Sequence, residues 1–223
     1  MLTRLNGRYF FCWVFKSILL FMAITYNTGL SAQSIQEEGV DESNALIIGA
    51  SLNNYFFEDD YIFNPIVTGD AGTLHLEGRY NYEDINTLSL FGGYNITVGN
   101  KLLWEVTPMI GVAFGETNGF IPAIESTLSY GAFEWYAESE YVVITDEGGD
   151  DYFYTWTELN YYPLDWLSLG LIGTRTRLYE SDLEVQYGIS LGYHKGNFSV
   201  LASPMNLGTG DTYFYLSAFI RFD

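Results

Sequence analysis

Acidic, basic and aromatic side chains recur at two-residue spacing along this sequence. His75, Glu77, Arg79 and Asn81 form one such run, and Glu134, Tyr136, Glu138 and Glu140 a second. Tyr154, Trp156 and Glu158 form a third, and Arg175 and Arg177 a fourth. In an extended strand residues i and i+2 share a face, so each run presents a continuous polar edge. Glu105, Glu125, Glu184 and Arg221 join the same face when the apolar residues of their own segments set the parity. Eight glutamates then meet at most four arginines. Paired as Glu77, Glu105, Glu125 and Glu158 with Arg79, Arg175, Arg177 and Arg221, they would make a hydrogen-bonded network that fixes strand register. Left in water, the surplus carboxylates would select cations by their field. Tyr136, Tyr154 and Trp156 could stack flat solutes or simply fill volume.

Other chemistries find less support. The acidic stretches Glu58-Asp59-Asp60 and Asp146 to Asp151 offer oxygen ligands, but neither has the spacing of an EF-hand loop. Two histidines and one cysteine, Cys12, supply too few ligands for zinc or haem, so no metal and no cofactor is expected. No P-loop, dinucleotide fingerprint or Gly-x-Ser-x-Gly elbow occurs. A catalytic histidine needs a nucleophilic hydroxyl and an orienting group within reach, and nothing in the spacing of His75 or His194 demonstrates either. No catalytic residue is assigned and the chain is read as a non-enzyme, a lipid hydrolase acting through His75 being a minor alternative.

The elements that must position these side chains are strands. Leu183 to Tyr193 alternates large apolar with small or polar residues throughout, as does Leu74 to Tyr82. Strands are read near 45–57, 72–82, 87–98, 102–114, 120–130, 133–144, 152–161, 167–179, 183–193, 198–205 and 212–222, with a shorter candidate at Tyr61 to Val67 that contains Asn64-Pro65. Proline in a ladder forfeits a hydrogen bond, which makes that candidate the weakest. The connectors carry Gly, Asn, Asp or Pro, as turns demand. No segment has a sustained helical period or 18 consecutive apolar residues. Strands of about ten residues exceed the five or six usual in soluble sheets and match the nine to eleven that cross a bilayer on a tilt. An acidic β-sandwich is the soluble alternative.

Charge and composition narrow the partners. The chain of 223 residues has 28 acidic and 9 basic residues, a formal charge of -19. So few cations exclude nucleic acid, whose affinity comes from basic groups on phosphate. A hydrophobic content of 48% and an aromatic content of 18% exclude a disordered acidic chain. Residues 1–32 read as a signal peptide: Arg4, Arg8 and Lys16, an apolar run from Ile18 to Ile24, and the small-residue site Leu30-Ser31-Ala32. Removing them takes away three basic and no acidic residues, leaving 6 against 28, or -22. Residues 33–44 read as an acidic periplasmic leader, and 45–223 as the folded domain.

The signal, the serial alternating strands and the terminal run Tyr213 to Phe222 resemble the outer-membrane β-barrels of Gram-negative bacteria, most of all their small, uncharacterised porin-like members. In that class the last strand ends in an aromatic residue read by the insertion machinery. Phe222 matches it, although Asp223 follows. The resemblance implies an all-β, antiparallel up-and-down transmembrane barrel, with outer-membrane lipid and the insertion machinery as partners. Its even strand count favours twelve, with ten the alternative. Tyr94, Trp104, Trp135, Tyr141, Tyr161 and Trp166 would then form the interfacial girdles. Arg175 and Arg177 share parity with Leu167, Leu169 and Leu171, but an arginine facing lipid at mid-bilayer costs about 2 to 4 kcal/mol. Both are therefore expected inside, behind a bulge near Gly170 or Gly173. The function expected is a small passive pore for polar or cationic solutes. The alternative is a closed structural or interaction barrel acting through acidic outer loops.

Overall fold

A computed structural model describes the backbone of residues 45–178 and 184–222 and the side chains of 45–175 and 185–222. The expected signal peptide and leader, and the side chains of Arg177 and Glu184, lie outside the described residues. Those residues form one antiparallel sheet closed on itself. The strands are β1 (Leu46–Phe56), β2 (Tyr61–Ala71), β3 (Leu74–Tyr80), and β4, which runs as two collinear segments, Leu88–Tyr94 and Ile96–Gly99. β5 (Leu102–Phe114), β6 (Gly119–Tyr130), β7 (Phe133–Ile144), β8 (Tyr152–Leu164) and β9 (Leu167–Leu178) follow. β10 (Glu184–Lys195), β11 (Phe198–Met205) and β12 (Tyr213–Phe222) complete the ring. Both segments of β4 keep one register on β5, Leu88 facing Phe114 and Gly99 facing Leu103, so they count as one strand and the barrel has twelve.

Closure is carried by β1 and β12, which pair from Ile48 with Phe222 to Phe56 with Phe214. No sheet edge is left open, which removes the unpaired backbone groups that lipid could not satisfy. The even count brings the start of β1 and the end of β12 to the same end of the barrel. At that near end the five turns, 72–73, 100–101, 131–132, 165–166 and 196–197, are two residues each. Gly131 and Gly196 open theirs with φ of 59° and 58°, a left-handed backbone that glycine adopts without strain. The far end carries the longer loops, among them 81–87, 145–151 and 206–212.

The weakest sequence candidate is a full strand. β2 runs eleven residues through Pro65, which faces outward, and its ladder with β3 begins one residue later at Ile66. The proline thus stands where that ladder ends, the position in a sheet that proline tolerates.

Two faces organise the wall. Outward lie Leu76, Leu90, Ile110, Ile124, Leu171 and Ile189, all exposed, with Ile110 at 60%. A belt this apolar matches hydrocarbon rather than water. Tyr94, Trp104, Trp135, Tyr141, Tyr161 and Trp166 are also outward and exposed. Inward lie two packed clusters, one around Phe91, Met109, Ile121 and Val142, the other around Trp156, Met205, Tyr213 and Tyr215. Phe91 lies opposite Gly111, and its ring occupies the space where a Cβ at Gly111 would stand. A bare glycine beneath an aromatic ring on the neighbouring strand lets the interior pack flat.

Arg175 corrects the sequence reading. The β9–β10 register is continuous from Leu167 to Thr176, and the single irregularity against β8 falls between Leu167 and Leu169. No bulge at Gly170 or Gly173 therefore turns the strand, and Arg175 stays exposed on the face of Leu169 and Leu171. It can stay there because it sits three residues from the far end of β9. Near an interface an outward arginine costs about 0 to 1 kcal/mol rather than the mid-bilayer penalty. Arg175→Leu is accordingly expected to change the unfolding free energy in detergent-lipid micelles by less than about 1 kcal/mol. A larger loss in urea titration would mean that Arg175 makes an inward contact.

Candidate functional site

The interior is organised around one guanidinium. Arg79 projects inward from β3 and is fully buried. Its Nε donates to Glu77, and its Nη1 donates to Glu138 and, at 3.1 Å, to Glu140 Oε2. Nη1 also lies 3.9 Å from Glu83, and Nη2 lies 3.8 Å from Glu125. Five carboxylates thus lie within ion-pairing distance of a single cation. The guanidinium carbon stands 4.5 Å from the Tyr82 ring centroid and 4.3 Å from that of Phe91. Aromatic faces stabilise a desolvated cation by about 2 kcal/mol. The strands explain the convergence. Glu125 is on β6 and Glu138 and Glu140 on β7, so the contacts from β3 run across the interior rather than along the wall. Tyr82 and Tyr136 donate their hydroxyls to Glu138 and Glu125, at 2.9 and 3.1 Å.

Beside this knot lies His75. Its Nδ1 is 2.8 Å from Asp70 and its Nε2 is 3.3 Å from Glu77. Asp70 also accepts from Asn95 at 2.7 Å, and Asn95 in turn accepts from Thr107 at 2.7 Å.

The second part of the interior is aromatic. Trp156 and Tyr215 meet at 5.1 Å between ring centroids, although β8 and β12 are not neighbours, and Tyr82 meets Tyr154 edge-on at 5.6 Å. Tyr152 reaches the backbone carbonyl of Glu83 at 2.7 Å. These contacts narrow the interior where they cross it. A cavity of about 190 Å³ adjoins them, lined by Tyr55, Asn64, Tyr82, Tyr154, Trp156 and Gln186.

The residues singled out in sequence divide into three groups. His75, Glu77, Arg79, Glu125, Tyr136, Glu138 and Glu140 come together in the charged knot. Tyr154 and Trp156 join the aromatic cluster, while Glu158 accepts from Trp156 at 2.8 Å and from Asn160 at 3.2 Å. Glu105, Glu134 and Arg221 share the inward parity but lie toward the near end, where Glu134 accepts from Tyr162 at 3.0 Å. Asn81 is not a strand residue. It holds a loop conformation with φ of 59° and donates to the Phe63 carbonyl. Among the described residues, Glu105 and Glu158 form no ion pair with Arg79. Arg79 engages Glu138 and Glu140 instead, because β7 faces it across the interior.

Asp70, Tyr82, Glu83 and Asn95 are missing from the sequence reading. Asp70 continues the inward alternation Asn64, Ile66, Thr68 beyond Val67, where the sequence candidate ends, and that alternation is its signal. Tyr82 and Glu83 belong to a loop that folds into the barrel, and no local pattern marks that.

A closed twelve-stranded barrel with an apolar outer belt and a polar, partly charged interior has the form of a membrane-spanning β-barrel. No protein-family model matches the sequence, and a search of curated proteins finds no match. Solved structures do share the fold. The KdgM porin aligns with a TM-score of 0.60 at 10% identity, covering 78% of this chain and 99% of that one. A second structure of it, described as a complex with disordered oligogalacturonate, aligns equally well. The NanC porin aligns with a TM-score of 0.53 at 10% identity, covering 79% of this chain and 99% of that one.

Proposed function

We propose that this barrel is a narrow passage across the outer membrane for small polar or cationic solutes, with the Arg79 knot and the adjoining aromatic cluster as its constriction. One observation carries the reading: five carboxylates surround one guanidinium inside a barrel of porin fold. A wall with that surplus attracts cations and repels anions by its field. An acidic oligosaccharide of the kind described with KdgM would meet repulsion here.

The cross-lumen contacts of Trp156 with Tyr215 and of Tyr82 with Tyr154 favour a second reading, a barrel closed to solutes that acts through its far-end loops. Planar-bilayer recording separates the two. Cation-selective current from protein extracted from membranes in detergent supports the passage. Absence of current, or anion preference, overturns it.

A further inference from the structure

We propose that the barrel interior binds a divalent metal ion of the zinc type at His75, Glu77 and Glu125. One donor atom from each of the three lies within 4.8 Å of the others. With zinc bonds near 2.1 Å a tetrahedral site needs donors about 3.4 Å apart, so rotamer adjustments of about an ångström close it. β3 supplies the first two residues and β6 the third, and β4 and β5 separate them along the wall. Counting histidines and cysteines cannot find such a set, because two of its three members are carboxylates from strands that do not touch.

Three further features point to a cation there. The first is the orientation of His75. Asp70 engages Nδ1 at 2.8 Å and is itself fixed by Asn95, which Thr107 holds in turn. A carboxylate on the far nitrogen of a ligating histidine sets its tautomer and ring direction. The second follows from that tautomer. With Nδ1 donating to Asp70, Nε2 is directed at Glu77 Oε2 at 3.3 Å. A proton on Nε2 makes that contact a hydrogen bond, and a metal ion can take the place of that proton. The third is Arg79 Nη2, which is buried, has no hydrogen-bond partner and stands 3.8 Å from Glu125. A water completing the metal's shell would give Nη2 the acceptor it lacks.

Charge favours the site despite the neighbouring arginine. Glu77, Glu83, Glu125, Glu138 and Glu140 surround one guanidinium and Asp70 adds a sixth carboxylate on His75, so a dication reduces the local imbalance. The imidazole selects a zinc-type ion over calcium or magnesium, which prefer oxygen donors. Glu125, with its side chain 23% exposed, is the open member through which an ion would enter.

Calorimetric titration of the full detergent-solubilised protein with Zn²⁺, in excess Mg²⁺ to occupy the acidic loops, tests the site. One zinc per chain is expected, weakened at least tenfold by Glu125→Gln and by His75→Ala, about tenfold by Asp70→Asn, and not by Glu105→Gln. Heat-modifiable gel mobility reports whether each variant is folded, and if His75→Ala is not, Glu125→Gln decides. No zinc uptake above Mg²⁺, or uptake unchanged in folded Glu125→Gln, overturns the proposal. Binding is read without current, so the site stands or falls separately from the passage.

Discussion

Arg79→Met lowers the unfolding free energy of the barrel by about 3 to 5 kcal/mol at neutral pH, the cost of removing one partner from a buried ion cluster. The side chains of Glu77, Glu83, Glu138 and Glu140 are almost wholly shielded from water, and the variant leaves them without the cation they surround. Methionine restores most of the volume, so the loss reports charge rather than a cavity. Acidification neutralises carboxylates, and the difference from wild type therefore shrinks as the pH falls. Urea titration followed by tryptophan fluorescence at two pH values measures both effects. A loss below 1 kcal/mol at neutral pH would mean that water, not Arg79, balances the glutamates.

Trp156→Ala has an effect of similar size by a different route. Trp156 is nearly fully buried, packs against Tyr215 and donates to Glu158. Truncating a buried tryptophan costs about 3 to 5 kcal/mol. Because the ring reaches from β8 to β12, its removal also widens the interior, and single-channel conductance rises severalfold. Stability lost with no change in current would place the narrowest point at the Arg79 knot instead.

The wall of the barrel was legible in the sequence to a greater extent than its interior. Alternation in Leu74 to Tyr80 and in Val185 to Tyr193 reports which side chains face lipid, because burial on one face is a local consequence of two-residue periodicity. That same logic placed His75, Glu77, Arg79, Glu138 and Glu140 inward. At Arg175 the alternation holds, and the misleading element is the mid-bilayer penalty, which does not apply to a residue near the end of its strand. Which inward residues touch is a different matter. Arg79 reaches Glu138 across the interior, and Glu83 enters from a loop, so both contacts depend on barrel width and loop path. Neither leaves a mark on local spacing. The grouping of His75, Glu77 and Glu125 is invisible for the same reason.

A charged interior of the kind proposed passes cations in preference to anions. The reversal potential of the protein in a planar bilayer under a potassium chloride gradient tests it most directly. Displacement toward the potassium equilibrium potential is expected, with a smaller displacement in the Glu125→Gln, Glu138→Gln double variant. Displacement toward the chloride potential, or no current at all, would contradict the account.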